Sequence, residues 1–257
     1  MKKIIVGNLK MNLLSSAERK KYFELFKKEL KKRKITNAEF VLCPPYVHVE
    51  SFVKELKAKN ISIGSQNIFW EEKGPYTGEI SVPMIKNMGG EYVILGHSDR
   101  RKYFFENDDK INLKIHAVLK NGLKVILCVG ENAEEKKNGS GEAVIFEQLK
   151  NCLNNINTKK IADVIICYEP VWAISSNNPN RLPVIDEIMS AKILIKKFLI
   201  RKYKLKVAEK VKIIYGGSVF PENIKETCIE PGMDGVLVGK ESLNPLNFIK
   251  MAETIDK

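Results

Sequence analysis

The feature that most constrains this chain is a repeated alternation. Eight short, β-branched runs, at 4–11, 40–44, 61–66, 92–97, 125–129, 164–168, 211–215 and 235–238, are near-continuously apolar. Strands of a parallel sheet covered on both faces read this way. Between most of them, apolar residues recur at helical spacing, as at 110–121 and 185–203. Alternating strand and helix implies βα units with right-handed crossovers. Eight such units close into a (β/α)8 barrel, or they form an open, doubly wound sheet. The open sheet usually carries a glycine-rich turn after its first strand. Here that strand runs into Gly7-Asn8-Leu9-Lys10-Met11-Asn12, without the G-x-G-x-x-G pattern. The barrel is the better fit, and 257 residues suit one such domain spanning 1–257. No linker or low-complexity tract divides the sequence.

Composition excludes several classes. No run approaches the roughly 18 uninterrupted apolar residues of a membrane span, so no membrane partner is expected. The N-terminus turns polar too early for a secretory segment and reads as a strand, which makes a cytoplasmic address the default. The five cysteines form no C-x-x-C pair, and Cys43, Cys128 and Cys167 lie in apolar runs. They read as reduced core thiols, with no metal role. The net charge of +12 comes almost entirely from lysine spread along amphipathic segments, as at 22–34. That is the signature of a solvated outer face. No arginine-rich arm, zinc pattern or RNP-like aromatic motif accompanies it, so nucleic acid is not an expected partner. A positive field would still attract a small anionic substrate.

In a barrel, reactive groups gather where strands end. The ends here supply Asn8 and Lys10, then His97, then Glu169, then Tyr215-Gly216-Gly217-Ser218, then Gly239-Lys240. The two glycine-containing turns can bring backbone N–H groups close to an anion. Lys10 offers a fixed positive charge, His97 a hydrogen-bond donor for a carbonyl, and Glu169 a base able to take a proton from carbon. No cofactor fingerprint is present. The set suits cofactor-free proton transfer beside a carbonyl on a small phosphorylated compound. Two other readings stay open. Lys10 could serve as a Schiff-base nucleophile, or the chain could be a non-enzymatic relative. His48 and His116 read as structural residues, and Trp172 as a packing anchor.

Six stretches carry a closer likeness: residues 8–12, 74–79, 95–101, 128–131, 168–174 and 215–218. In this order they resemble the triosephosphate isomerase family over nearly the whole chain. The resemblance implies a TIM barrel that interconverts dihydroxyacetone phosphate and glyceraldehyde 3-phosphate without a cofactor. It implies Glu169 as the proton shuttle, a neutral His97 as electrophile, and Lys10 with Asn8 beside the developing oxyanion. The phosphate would be held near Ser175, Ser218, Gly239 and Lys240. Asp99, Tyr215 and Gly217 would support the site, and Pro170-Val171-Trp172 would hinge a lid tipped by residues 173–177. It further implies a homodimer joined through Gln66, Asn67, Tyr76 and Thr77, and a glycolytic and gluconeogenic role.

The sequence departs from the family at several positions. Leu9 replaces a usual Trp, Lys196 an Arg, and Phe105 a Gly before Glu106. Asp99 replaces Glu, one methylene shorter, so a shift of roughly 1.5 Å or a bridging water is expected between it and Lys10. Ser175 and Asn177 replace lid glycines. If Ser175 needs a positive φ, the cost is about 1 kcal/mol. Lys240 also replaces a Gly, which adds bulk and charge near the phosphate.

Overall fold

The computed structural model describes residues 2–257. Eight parallel strands close into a barrel in sequence order: β1 (Lys3–Asn8), β2 (Ala38–Cys43), β3 (Ile61–Ser65), β4 (Tyr92–Leu95), β5 (Lys124–Val129), β6 (Val164–Tyr168), β7 (Ile213–Tyr215) and β8 (Gly235–Val238). The ring is sealed where Ile4 to Gly7 of β1 pair with Gly235 to Val238 of β8. Period-two alternation explains the unbroken apolar runs. In β1, Ile4 and Val6 pack inside the barrel with Ile94, Ile126, Ile165 and Leu237, while Ile5 joins the layer under the helices. Both faces of each strand are therefore dry.

The helices supply the outer wall. α1 (Ser16–Lys31) starts where Ser15 accepts the N–H of Glu18, and it buries Tyr22, Phe23 and Phe26. Each such aromatic burial contributes about 2–3 kcal/mol. Phe26 meets Phe40 of β2 edge-on, with ring centroids 5.9 Å apart. Outside this stripe the lysines face solvent. α2 (Val49–Leu56) and α3 (Val82–Asn87) follow. α4 (Ser98–Phe104) and α5 (Asp108–Lys120) both follow β4, and α6 (Ala133–Lys137) and α7 (Gly141–Cys152) follow β5. The wall is completed by α8 (Ile185–Tyr203), α9 (Leu205–Ala208) and α10 (Pro245–Asp256). Of the two helices expected in particular, 185–203 has the expected bounds and the other begins two residues early, at Asp108.

Several strand ends differ from expectation for backbone reasons. The first strand was expected to reach 11 but stops at Asn8, because Lys10 (φ 49°) and Leu13 (φ 65°) turn into the left-handed region. The fourth stops at Leu95. Gly96 follows at φ 73°, where a Cβ would also stand 2.8 Å from the Cys128 carbonyl oxygen. That close turn requires glycine. The seventh begins at Ile213, two residues late. These interruptions turn the strand ends into loops, and the reactive side chains stand on those loops.

Candidate active site

Four of the sequence-selected side chains meet at the carboxyl end of the barrel. Asn8, Lys10, His97 and Glu169 line one cavity of about 310 Å³, together with Ser175, Gly217, Gly239 and Lys240. Ile174, Val219, Leu237 and Leu243 give it an apolar wall. Sequence reading had not selected these wall residues, because nothing separates them from other core side chains.

Lys10 is held from several directions. Its backbone N–H donates to Asn8 Oδ1 at 3.1 Å, and its carbonyl accepts from Gln66 Nε2 at 2.9 Å. These bonds offset the roughly 1 kcal/mol that a left-handed lysine costs. Lys10 Nζ lies 3.0 Å from Asp99 Oδ2. The contact is direct, so the bridging water is not needed. A Schiff-base lysine is activated by desolvation or by a neighbouring cation, whereas Lys10 is partly exposed and its near neighbour is a carboxylate.

His97 ends the β4 turn and caps α4. Its Nδ1 accepts the backbone N–H of Asp99 at 3.1 Å. A peptide N–H can only donate, so Nδ1 carries no proton and the neutral ring bears its hydrogen on Nε2. Nε2 points at Glu169 Oε1, 3.1 Å away. Glu169 sits one residue beyond β6 and is only 2% exposed. Its Oε2 accepts the Ser98 N–H at 3.0 Å, and its Oε1 accepts the Ser98 hydroxyl at 3.1 Å. The carboxylate thus rests against the start of α4. Ser98 was missed as a functional residue, although it lay beside His97 in a motif already singled out.

The lid following Glu169 forms two short 3-10 turns, Val171–Ala173 and Ser175–Asn177. At the hinge, Trp172 Nε1 donates to Glu131 Oε1 at 2.8 Å, and the Tyr168 hydroxyl donates to the same oxygen at 3.0 Å. Lys136 and Arg181 stand over the Trp172 ring, 5.4 and 4.8 Å from its centroid. Arg181 also forks onto Glu187 at 2.7 and 2.9 Å, and this holds the Glu187 carboxyl down at about 2. Ser175 does not take a positive φ, so the anticipated strain is absent there. The left-handed residue of the lid is Asn178, φ 48°, a type that tolerates it.

Ser218 is placed differently from expectation. Its N–H and its hydroxyl both donate to the Ala173 carbonyl, at 3.0 and 2.8 Å, and the hydroxyl meets Ser175 Oγ at 2.7 Å. Ser218 therefore fastens the lid in this arrangement and is not among the residues lining the cavity. Tyr215 is buried behind it, and its hydroxyl has no partner. A Cβ on Gly217 would fall 2.1 Å from that oxygen, so only glycine fits there.

The remaining selected residues are spread around the same rim. The Gln66 side chain also donates to the Cys43 carbonyl at 2.9 Å. Asn67 accepts from the buried Lys114, which is ion-paired with Glu106 at 2.5 Å. Burial lowers the Lys114 pKa, and Glu106 opposes that shift. Tyr76 and Thr77 stand on an exposed loop, where the Tyr76 ring packs 4.6 Å from Phe69. Leu9 is fully buried, and Lys196 donates to the Ala208 carbonyl. Phe105 closes α4 at φ 53°, the conformation for which glycine is ordinarily chosen. His48 is structural, as expected, bridging Arg19 and the Leu13 carbonyl, and His116 bonds the Asn154 carbonyl. All five cysteines are buried free thiols.

The family model for triosephosphate isomerase matches residues 3–255. A triosephosphate isomerase of Dictyoglomus turgidum is 42% identical over 247 residues, covering 96% of this chain and 97% of its own length. One from a Thermoanaerobacter species is 40% identical over 248 residues, with the same coverage. One from Thermodesulfovibrio yellowstonii is 43% identical over 219 residues, covering 85% of this chain and 87% of its own. The similarity runs from the first strand to the last helix, and the chain belongs to the triosephosphate isomerase family.

Proposed function

We propose that this chain, acting as one catalytic domain, interconverts dihydroxyacetone phosphate and glyceraldehyde 3-phosphate in glycolysis and gluconeogenesis. The observation that carries the reading is the pairing of a buried carboxylate with a neutral imidazole in one cavity that also holds a carboxylate-anchored ammonium. Glu169 takes a proton from the carbon next to the substrate carbonyl. His97 Nε2–H donates to the carbonyl oxygen, and Lys10 and Asn8 stabilise the negative charge that develops there. The proton then returns to the neighbouring carbon, while His97 carries the hydroxyl proton from one substrate oxygen to the other. Atoms and electrons are only redistributed, so no cofactor is called for.

To reach a bound carbon, Glu169 must leave Ser98. The lid that begins at the next residue supplies that movement. Closing it would release Ser218 from Ala173 and free its donors for the phosphate, beside Ser175, Gly239 and Lys240. Asp99 keeps Lys10 in place, while Tyr215 and Gly217 shape the turn beneath the phosphate.

A two-fold homodimer fits the exposed apolar side chains of Met11, Leu14 and Val47 around the rim. In this arrangement Tyr76 and Thr77 contact the second copy, and Gln66 and Asn67 anchor the base of their loop. A cytoplasmic setting accords with five reduced thiols. Among the described residues, no helix is long and apolar enough to cross a membrane.

A coupled assay on the purified protein, run in both directions, tests the activity. Turnover of both triose phosphates supports it. No turnover by a folded protein overturns it, and borohydride trapping of a ketose phosphate on Lys10 would point instead to Schiff-base chemistry.

A further inference from the structure

The turn that leaves β8 carries a side chain that the proton transfer does not use. Gly239 and Lys240 both line the isomerase cavity. The root of this turn is firmly held. The buried Ser242 donates its N–H and its hydroxyl to the Gly239 carbonyl, at 3.0 and 2.6 Å, and its own carbonyl accepts the Tyr22 hydroxyl at 3.0 Å. Gly239 also lies along the Lys10 stem, where a Cβ would stand 3.7 Å from Lys10 Cε. Two lysines therefore line one cavity from the ends of neighbouring strands, β1 and β8.

Their surroundings differ. The Lys10 ammonium is matched by Asp99 at 3.0 Å. Lys240 is exposed, and among the described residues its ammonium has no carboxylate partner. The adjacent acid, Glu241, is turned to Asn247, whose side-chain N–H donates to it at 2.7 Å. The charge balance shows what Lys240 contributes. Asp99 cancels Lys10, His97 is neutral, and Glu169 adds a negative charge. Counted by side chains, the cavity without Lys240 would meet an anionic substrate with a net negative charge. With Lys240 the balance returns to zero. A phosphate monoester carries close to two negative charges at neutral pH, so an uncancelled charge in the cavity weighs directly on its binding. The backbone N–H groups of the turn can hold phosphate oxygens, but they bring no net charge.

We propose that the Lys240 ammonium is a specificity-determining group for the phosphate end of the substrate: it offsets Glu169 and selects a dianion over a singly charged ligand of similar shape. The role rests on the triose phosphate reading for its substrate, while the site itself requires only a small phosphate. The stem is exposed, so the ammonium acts in water and its effect is screened by salt. It contributes to binding and not to the chemical step.

Inorganic phosphate is the probe, titrated calorimetrically as the dianion at low and at high ionic strength. Lys240→Met should weaken its binding about fivefold at low salt, the size expected of an exposed charge pair, and much less at high salt. Lys240→Arg should stay within about twofold of the wild type, because the charge is kept. Methanesulfonate, singly charged and of similar shape, should lose less in Lys240→Met than phosphate does. Lys159→Met removes an exposed lysine ahead of β6, at the other end of the barrel, and should leave phosphate binding as it was. In the isomerase assay Lys240→Met should raise KM by the same factor as it weakens phosphate, with kcat changed less. Equal phosphate affinity in Lys240→Met and the wild type at low salt, an equal loss in Lys159→Met, no rescue by arginine, or a loss confined to kcat would each overturn the assignment. Phosphate binding that depends on Lys240 in a protein without triose phosphate turnover would retire the isomerase reading and leave the site in place.

Discussion

The two sides of the barrel mouth are built in different ways. On the side of Asn8, Lys10, His97 and Glu169, side chains hold one another through bonds of 3.0–3.1 Å, and the strand ends fix their roots. On the side of Ser175 and Ser218, hydroxyls and backbone groups are spent on the lid itself. In the proposed reaction Asn8, Lys10 and His97 are set before substrate arrives, and Glu169 alone on that side swings away from Ser98. The second side must exchange its present bonds for new ones when a phosphate enters. The contrast places preorganised electrostatics where proton transfer occurs and reversible contacts where binding and release occur.

That contrast can be broken from either side. Short of removing Glu169 itself, the largest expected loss of activity comes from freeing Lys10. Asp99→Ala should lower kcat/KM by roughly 100-fold, the usual cost of about 1 Å of misplacement. Asp99→Glu should stay within about threefold, because the direct contact already exists. A large drop in Asp99→Glu would show that the site is fitted to the shorter acid. Next comes the buried pair beneath the fixed side. Lys114→Met leaves Glu106 with Arg100 alone, 2.6 Å away, and should cost about 1–3 kcal/mol in denaturant unfolding. The double variant Lys114→Met/Glu106→Leu should recover most of that.

On the lid side, effects should be smaller and should split differently between constants. Ser218→Ala removes the tether to Ala173 and Ser175. It should raise KM for the triose phosphates several-fold, with kcat changed less. An equal fall in kcat and kcat/KM would mean that Ser218 acts in the chemical step instead. The hinge clamp gives the smallest signal. The Glu187 carboxyl is lowered from 4.5 to about 2, chiefly by Arg181. Its stabilising contribution is therefore complete above about pH 4.5 and is lost as pH falls through about 2. Glu187→Gln should flatten the acid limb of the stability profile between those values, by thermal melts at matched ionic strength.

The same contrast explains what could be read from sequence. Unbroken apolar runs separated by helical spacing announced all eight strands, because burial on both faces forces that pattern. Asn8, Lys10, His97 and Glu169 were legible because each carries chemistry in its own side chain. Strand ends were less so: Lys10 and Leu13 turn left-handed with no glycine to announce it. Whether the Asp99 contact runs directly or through a water was not legible, because residue length says nothing of how far a lysine stem can bend. Ser98 was obscured by its ordinary chemistry, and Ser218, selected for the phosphate, gave no sign of its tether to the lid. A serine that fastens a lid and one that parks a carboxylate look like any other serine until the partners are placed beside them.

The account depends most on Glu169 moving a proton at carbon. Dihydroxyacetone phosphate can be incubated in D2O with the wild-type chain and with Glu169→Gln, and deuterium at carbon followed by NMR. Deuterium should appear in the wild-type reaction, and both incorporation and isomerisation should fall by about 10²–10⁴ in the variant. Undiminished incorporation in a folded Glu169→Gln protein would contradict the assignment.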